Sequence, residues 1–170
     1  MAQKPENYDK RLYKITDYEK VAGTRYFRHA YDYFNSGAND EVSLRQQYDC
    51  FKDIKLKKRT FVDASKWQGM DTNIMGKHIK SPICVTSTAF QRMANPEGEC
   101  ATARACEKMH NTPVVMSSWA TTANEEFGQN APNTTKVFQI YLSKIPEVNF
   151  DIWNRVKKSG FSALAMTTDT

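Results

Sequence analysis

The sequence predicts an α/β fold, the N-terminal half of a parallel (βα)8 TIM barrel preceded by an N-terminal helical segment. Three observations predict it. From residue 81 onward, short continuous apolar runs alternate with helix signals, the pattern of parallel strands covered by helices. The seven glycines form no GxGxxG after any of these runs, so the phosphate-binding turn of a doubly wound sheet is missing. The chain of 170 residues accommodates four such strands, whereas a whole barrel needs about 250 residues.

The first fifty residues read as helices. Thr16 to Glu19 (TDYE) has the form of a capping box, and Thr24 is placed to cap a second helix that stops at Gly37 in a left-handed turn. On that helix Tyr26, Phe27, Ala30, Tyr31 and Phe34 make one apolar stripe. Asn39, followed by Asp40 and Glu41, starts a third helix in which Leu44, Tyr48 and Phe51 follow the i, i+4, i+7 spacing. Met70 to Lys80 reads as a small hairpin turning at Gly76. Ser81–Val85 is then the first barrel strand. Asn95 caps the helix after it, with Pro96 at the first helical position and an end near His110. Thr112–Met116 is the second strand, and Thr122 to Glu125 is a capping box opening a short helix. Lys136–Leu142 is the third, followed by a helix from Pro146 to Ser159 that Gly160 closes. Phe161–Thr168 is the fourth. The organisation is helices and linker over 1–69, hairpin over 70–80, and barrel strands with their helices over 81–170.

Composition excludes several classes. Hydrophobic residues make up 40% and charged residues 25%, the balance of a folded domain rather than a disordered chain. No run approaches the roughly 18 apolar residues of a membrane span, and the N-terminus MAQKPENYDK lacks the apolar core of a signal peptide. The formal net charge of +5 owes much to one run, Lys52 to Arg59 (KDIKLKKR). It has no interleaved aromatics and no nucleic-acid reading motif, so a solvated surface explains it better than a nucleic-acid or nuclear-import role. The four cysteines (Cys50, Cys84, Cys100, Cys106) contain no CxxC pair and read as buried thiols of a reducing compartment. The three histidines (His29, His78, His110) lack ligand spacing, so no metal site is expected.

In a βα barrel the reacting groups lie at the C-terminal ends of the strands. Those ends carry Thr88 and Ala89; Ser117, Ser118 and Trp119; Gln139 and Tyr141; Thr167 and Asp169. The last two pairs are spaced i, i+2, so both side chains of each pair share one face. A single polar group there is explained as a satisfied rim residue. Four strand ends showing it together favour a ligand site.

The segments YDYFNSGAND (31–40), PICVTSTAFQRMANPEGECATARAC (82–106), SSWATT (117–122), QIYLSK (139–144) and ALAMTTDT (163–170) resemble the FMN-dependent 2-hydroxy-acid oxidases, the family of glycolate oxidase, the animal hydroxyacid oxidases and their flavocytochrome relatives. The motifs fall in order across nearly the whole chain, and the family is an FMN-binding βα barrel of roughly twice this length. The resemblance therefore covers the family's N-terminal half. It implies that Tyr33 binds the substrate carboxylate through its hydroxyl, although Tyr33 also fits the aromatic packing of its helix. It implies that Thr88 and Ala89 lie along the flavin ring and that Ser117, Gln139 and Thr167 contact its polar edge. Tyr141 is similar to the second active-site tyrosine, and Trp119 to the side chain bordering the substrate pocket, where packing alone would also explain a buried Trp. Asp169 is similar to the carboxylate that orients the catalytic histidine and stabilises its protonated form.

Three departures from the family pattern stand out. Ser87 replaces a proline before Thr88 and Ala89, which makes that loop less rigid. Asn95 replaces a histidine and remains a good N-cap. Leu142 and Ser143 precede Lys144, where the family has a tyrosine and an acid nearby. By the same resemblance the catalytic histidine, two carboxylate-gripping arginines, a lysine beside the flavin and the phosphate-binding loops lie beyond residue 170. The implied activity is (S)-2-hydroxy-acid oxidation: FMN takes two electrons from a small 2-hydroxy acid, oxygen reoxidises it, and hydrogen peroxide leaves. Two alternatives stay open, a dehydrogenase with another acceptor and a non-catalytic fragment. The resemblance also implies a homo-oligomer and a peroxisomal location, with the cytoplasm as the alternative.

Overall fold

A computed structural model describes residues 12–169, so the N-terminal MAQKPENYDK segment, Arg11 and Thr170 lie outside the described residues. The chain divides into two compact units, one ending at Trp67 and one beginning at Gln68.

The first unit is helical. Its helices are α1 (Ile15–Arg25), α2 (Arg28–Asn35) and α3 (Val42–Asp53). Each begins or ends a little away from the expected residue. Asp17, not Thr16, caps α1, its carboxylate accepting from the N–H groups of Lys14 at 3.1 Å and Tyr13 at 3.3 Å. Thr24 lies inside α1 and donates to the Val21 carbonyl at 2.8 Å instead of capping α2. A hydroxyl in a last turn finds the carbonyl behind it more readily than the N–H groups of a helix not yet begun. The α2 helix ends at Asn35 with an extended Ser36, so Gly37 is no left-handed stop. Gly37 instead serves a close approach, since a Cβ there would meet the Leu44 Cβ at 3.0 Å. Between α2 and α3 the left-handed residues are Asn39 and Glu41, which delay the start of α3 to Val42. Of the α2 stripe, Ala30 is buried, while Phe27 and Phe34 remain exposed.

The second unit opens with the expected hairpin, β1 (Thr72–Ile74) paired antiparallel with β2 (Lys77–Ile79). Met75 and Gly76 both have positive φ, the backbone that a two-residue turn matching strand twist requires. A three-stranded parallel sheet follows: β3 (Val114–Met116), β4 (Lys136–Ile140) and β5 (Ala163–Met166), neighbours in chain order. The register sets Val115 beside Val137 and Gln139 beside Ala165. The expected strand over 81–85 is reduced to a single parallel bridge from Val85 to Val114. Exposed Pro82 explains part of this, since it has no N–H to give a ladder. Strands added in chain order, all parallel, trace one arc of a barrel; a doubly wound sheet would reverse direction.

Three helices, α4 (Gly98–Lys108), α5 (Asn124–Asn130) and α6 (Pro146–Lys158), cover one face. There Val114, Met116, Phe138 and Ile140 meet Ala103, Cys106, Phe127, Ala131 and Val156 in one core. Each buried Val, Ile, Met or Phe contributes about 1.5–3 kcal/mol. Val85 and Leu164 pack against this same core, so these two and Ile140 belong to the helix side rather than the barrel interior. Pro146 occupies the first turn of α6, and Gly160 follows it at φ +76. Asn95 and Pro96 precede α4 rather than start it: the Asn95 side chain accepts from the Glu97 N–H at 2.9 Å, closing a turn that ends at left-handed Gly98. All four cysteines are free, with Cys100 and Cys106 buried and Cys50 and Cys84 exposed, so only two are the expected buried thiols.

Candidate functional site

Because side chains alternate along a strand, the residues that leave the helix-covered core line the opposite face. On β3 and β4 the core takes Met116 and Ile140, which assigns Ser117 and Gln139 to the open side. Thr167, just past β5, completes the row. The Gln139 amide nitrogen donates to the Thr167 hydroxyl at 2.7 Å. Its carbonyl oxygen accepts from the Ser118 N–H at 3.0 Å, the Ser118 hydroxyl at 3.2 Å and the Ser117 hydroxyl at 3.4 Å. The Ser117 oxygen in turn accepts from the Trp119 N–H at 3.1 Å. Three of the expected cofactor residues, from three different strand ends, thus form one hydrogen-bonded row. Gln139 and Ser117 are buried, and a buried amide is tolerated because its oxygen is saturated. One Gln139 amide hydrogen and the Thr167 hydroxyl hydrogen have no acceptor among the described residues.

Beside this row stands an aromatic ladder. Phe90 meets Trp119 edge to face at 5.6 Å, and Trp119 meets Tyr141 at 6.4 Å. Trp119 is 57% exposed and Tyr141 44%, so Trp119 is no core tryptophan; its ring faces solvent beside a polar row. Thr88 and Ala89 lie on the loop leading to Phe90. The Thr88 carbonyl accepts from the Gln91 side chain at 3.1 Å, and the Phe90 N–H donates to the Trp119 carbonyl at 3.2 Å. Asp169 is exposed and makes no hydrogen bond or ion pair with the described residues. Tyr33 belongs to the first unit, half-exposed on α2, its ring edge to face with Phe34 at 5.1 Å.

Sequence reasoning missed Glu99. It is 1% exposed, yet its carboxylate accepts four hydrogen bonds: from the N–H groups of Gln91 and Thr121 at 3.0 Å each, and from the hydroxyls of Thr121 and Thr122 at 2.8 and 2.7 Å. Burial pushes the carboxyl up, but the donors from Thr121, Thr122 and Gln91 outweigh it and hold Glu99 below the ordinary glutamate range. Thr122 is therefore spent on Glu99, and α5 begins without the expected capping box. In sequence Glu99 is an acid in the first turn of a helix, which the helix dipole explains without burial. The loops that cover it come from elsewhere in the chain.

At the opposite strand ends, Lys136 is buried, its ammonium donating to the carbonyls of Ala131 at 2.5 Å, Pro132 at 3.4 Å and Thr134 at 3.5 Å. Burial pushes this amine down. Its place at the start of β4 marks it as a stabilising group away from the polar row. Among the described residues no three His, Cys, Asp or Glu side chains converge as a metal site requires.

Comparison with known proteins agrees with the fold. The model of the FMN-dependent dehydrogenase family matches residues 22–170. The chain is 38% identical over 160 residues to human 2-hydroxyacid oxidase 1, a match spanning 94% of this chain and 43% of that protein. It is 38% identical over 156 residues to glycolate oxidase 1 of Zea mays, spanning 92% of this chain and 42% of the relative. Among solved structures, an arginine-to-lysine variant of flavocytochrome b2 superposes with a TM-score of 0.87 at 30% identity, covering 94% of this chain and 42% of that one. A variant of an active chimera of (S)-mandelate dehydrogenase superposes with a TM-score of 0.85 at 28% identity, covering 94% and 44%. The chain spans less than half the length of these relatives.

Proposed function

The chain belongs to the FMN-dependent dehydrogenase family, and from that premise we propose that residues 1–170 supply part of the flavin floor and substrate pocket of an (S)-2-hydroxy-acid oxidase. The observation that carries this reading is the row Ser117–Gln139–Thr167 beside the Trp119–Tyr141 pair. Such a row suits the flavin ring, whose edge is polar and whose body is apolar. The spare Gln139 and Thr167 hydrogens are donors for the ring's oxygen and nitrogen acceptors. Thr88, Ala89 and Ser117 would help to hold the ring. When bound, FMN supplies the redox chemistry, accepting two electrons from the substrate and passing them to oxygen.

The chain's own groups bind and orient. The phenols of Tyr141 and Tyr33 are assigned to the substrate, the latter to its carboxylate. Trp119 walls the pocket and limits the length of the acid it admits. Asp169 is assigned to orient a histidine supplied from beyond residue 170 and to stabilise its protonated form. The balanced reaction converts a small 2-hydroxy acid to the 2-oxo acid, with oxygen reduced to hydrogen peroxide. The whole protein is assigned as a homo-oligomer of the peroxisome. No helix among the described residues is long and apolar enough to cross a membrane.

The likeness to flavocytochrome b2 supports a second reading, the same oxidation with an acceptor other than oxygen. One experiment separates the readings. A chain carrying these residues within a whole barrel is purified, its flavin absorbance recorded, and peroxide assayed with glycolate or lactate. Peroxide release supports the oxidase; flavin bleaching without peroxide supports the dehydrogenase. A colourless protein rejects both.

A further inference from the structure

The four hydrogen bonds that converge on Glu99 come from two separate loops. Gln91 belongs to the loop that carries Thr88 and Ala89, while Thr121 and Thr122 continue the loop that carries Ser117 and Trp119. Further bonds tie the same two loops. The Arg92 N–H donates to the Thr121 hydroxyl at 3.1 Å, and the Phe90 N–H to the Trp119 carbonyl at 3.2 Å. Gln91 extends the link, its side chain donating to the Thr88 carbonyl at 3.1 Å while accepting from the Thr102 hydroxyl at 2.7 Å. The backbone makes room for this arrangement at Gly98. Its φ is +51, and a Cβ there would meet the Arg92 Cγ at 2.6 Å, so a side chain at 98 would strain the backbone and displace the Arg92 side chain.

We propose that Glu99 is a positioning residue, a buried carboxylate that sets the spacing between the Thr88–Ala89 loop and the Ser117–Trp119 loop. The inference rests on the flavin reading above for what the loops carry, and on the hydrogen bonds alone for the brace. A carboxylate suits the task because it accepts from several donors at once without needing a proton of its own. The aromatic ladder depends on the same brace, since Phe90 and Trp119 sit one on each loop.

Amide hydrogen exchange on residues 1–170 without flavin tests the brace directly. In Glu99→Gln the amides of Gln91 and Thr121 should exchange roughly tenfold faster or more, with β4 amides unchanged. Thr122→Val should loosen the 117–123 loop, and Thr122→Ser, which restores a hydroxyl, should recover its protection. Equal acceleration in β4, or unchanged protection in both loops, would overturn the proposal by showing that Glu99 is only a core residue. A second readout uses the whole barrel, where Glu99→Gln should retain FMN less tightly and Thr122→Ser should retain it normally. Unchanged FMN retention together with loosened loops would overturn the link to the flavin while leaving the flavin reading itself intact. If the whole barrel carries no flavin at all, the flavin reading fails, and the exchange result still decides the brace.

Discussion

The Gln139 amide bridges two strand ends, donating to the Thr167 hydroxyl at 2.7 Å while its oxygen accepts from the Ser118 N–H at 3.0 Å. A buried amide at such a crossing orders both neighbours through one side chain. It also makes the crossing sensitive, because every partner loses its match when the amide is removed.

Gln139→Leu should therefore destabilise the chain by about 2–4 kcal/mol, since the Ser118 N–H and the Thr167 hydroxyl would be left unpaired. Urea denaturation followed by tryptophan fluorescence measures it. A loss below about 0.5 kcal/mol would show that water satisfies both groups and that the row is loose.

Acid should weaken the second unit through Glu99. Its folded carboxyl is held below its ordinary value by the Thr121, Thr122 and Gln91 donors, despite burial. The unfolded state then binds the proton more readily, so this contribution is present above about pH 4.3 and is lost as pH falls through the lower folded value. Nearby charges do not reverse the sign: Arg92 and Glu126 pair with each other at 3.3 Å, and burial keeps the Cys100 thiol protonated. Denaturation midpoints between neutral pH and pH 3 should fall more steeply for the native chain than for Glu99→Gln. Parallel curves would remove Glu99 from the acid response.

Within a whole barrel, Tyr33→Phe should raise KM for small 2-hydroxy acids and spare flavin content. One hydrogen bond to a carboxylate is worth about 1.5–3 kcal/mol, roughly ten- to a hundredfold in KM. An unchanged KM with full flavin content returns Tyr33 to the packing of α2.

Asp169→Asn in the same barrel should lower kcat far more than it weakens FMN binding. An amide holds an imidazole but does not stabilise its protonated form, and the same change in the orienting carboxylate of a serine-protease triad costs about 10⁴ in kcat. A smaller loss is expected here, because Asp169 is exposed and unpaired with the described residues. Near-normal turnover would end the orienting role.

Residues 1–170 by themselves should turn over no glycolate and should self-associate. The β5 strand pairs with β4 on one edge, and among the described residues its other edge has no partner. Ala163–Met166 is wholly apolar, which favours pairing between chains. Size-exclusion chromatography with a flavin absorbance channel tests both halves. A monodisperse yellow monomer that oxidises glycolate or lactate would refute them together.

The local code of this protein is legible where one short segment carries the whole signal. The Met75–Gly76 turn, the Pro146 start and Gly160 end of α6, and the apolar runs of β3, β4 and β5 depend on backbone preference and side-chain alternation, which act within a few residues. Alternation likewise places Gln139 and Tyr141 on one face, and the strand-end rule sets Ser117 and Thr167 beside Gln139. Tertiary structure decided what each polar group bonds to. Thr24 turned back on its own helix, Thr122 gave its hydroxyl to Glu99 rather than to α5, and Ser81–Val85 kept one bridge of its strand. It also decided that Glu99, a surface acid by its helix position, is the most heavily bonded carboxylate of the second unit's described residues. Hydrogen-bond partners are chosen by distance in space, and segments far apart in the chain come within reach only when the sheet and its helices have closed.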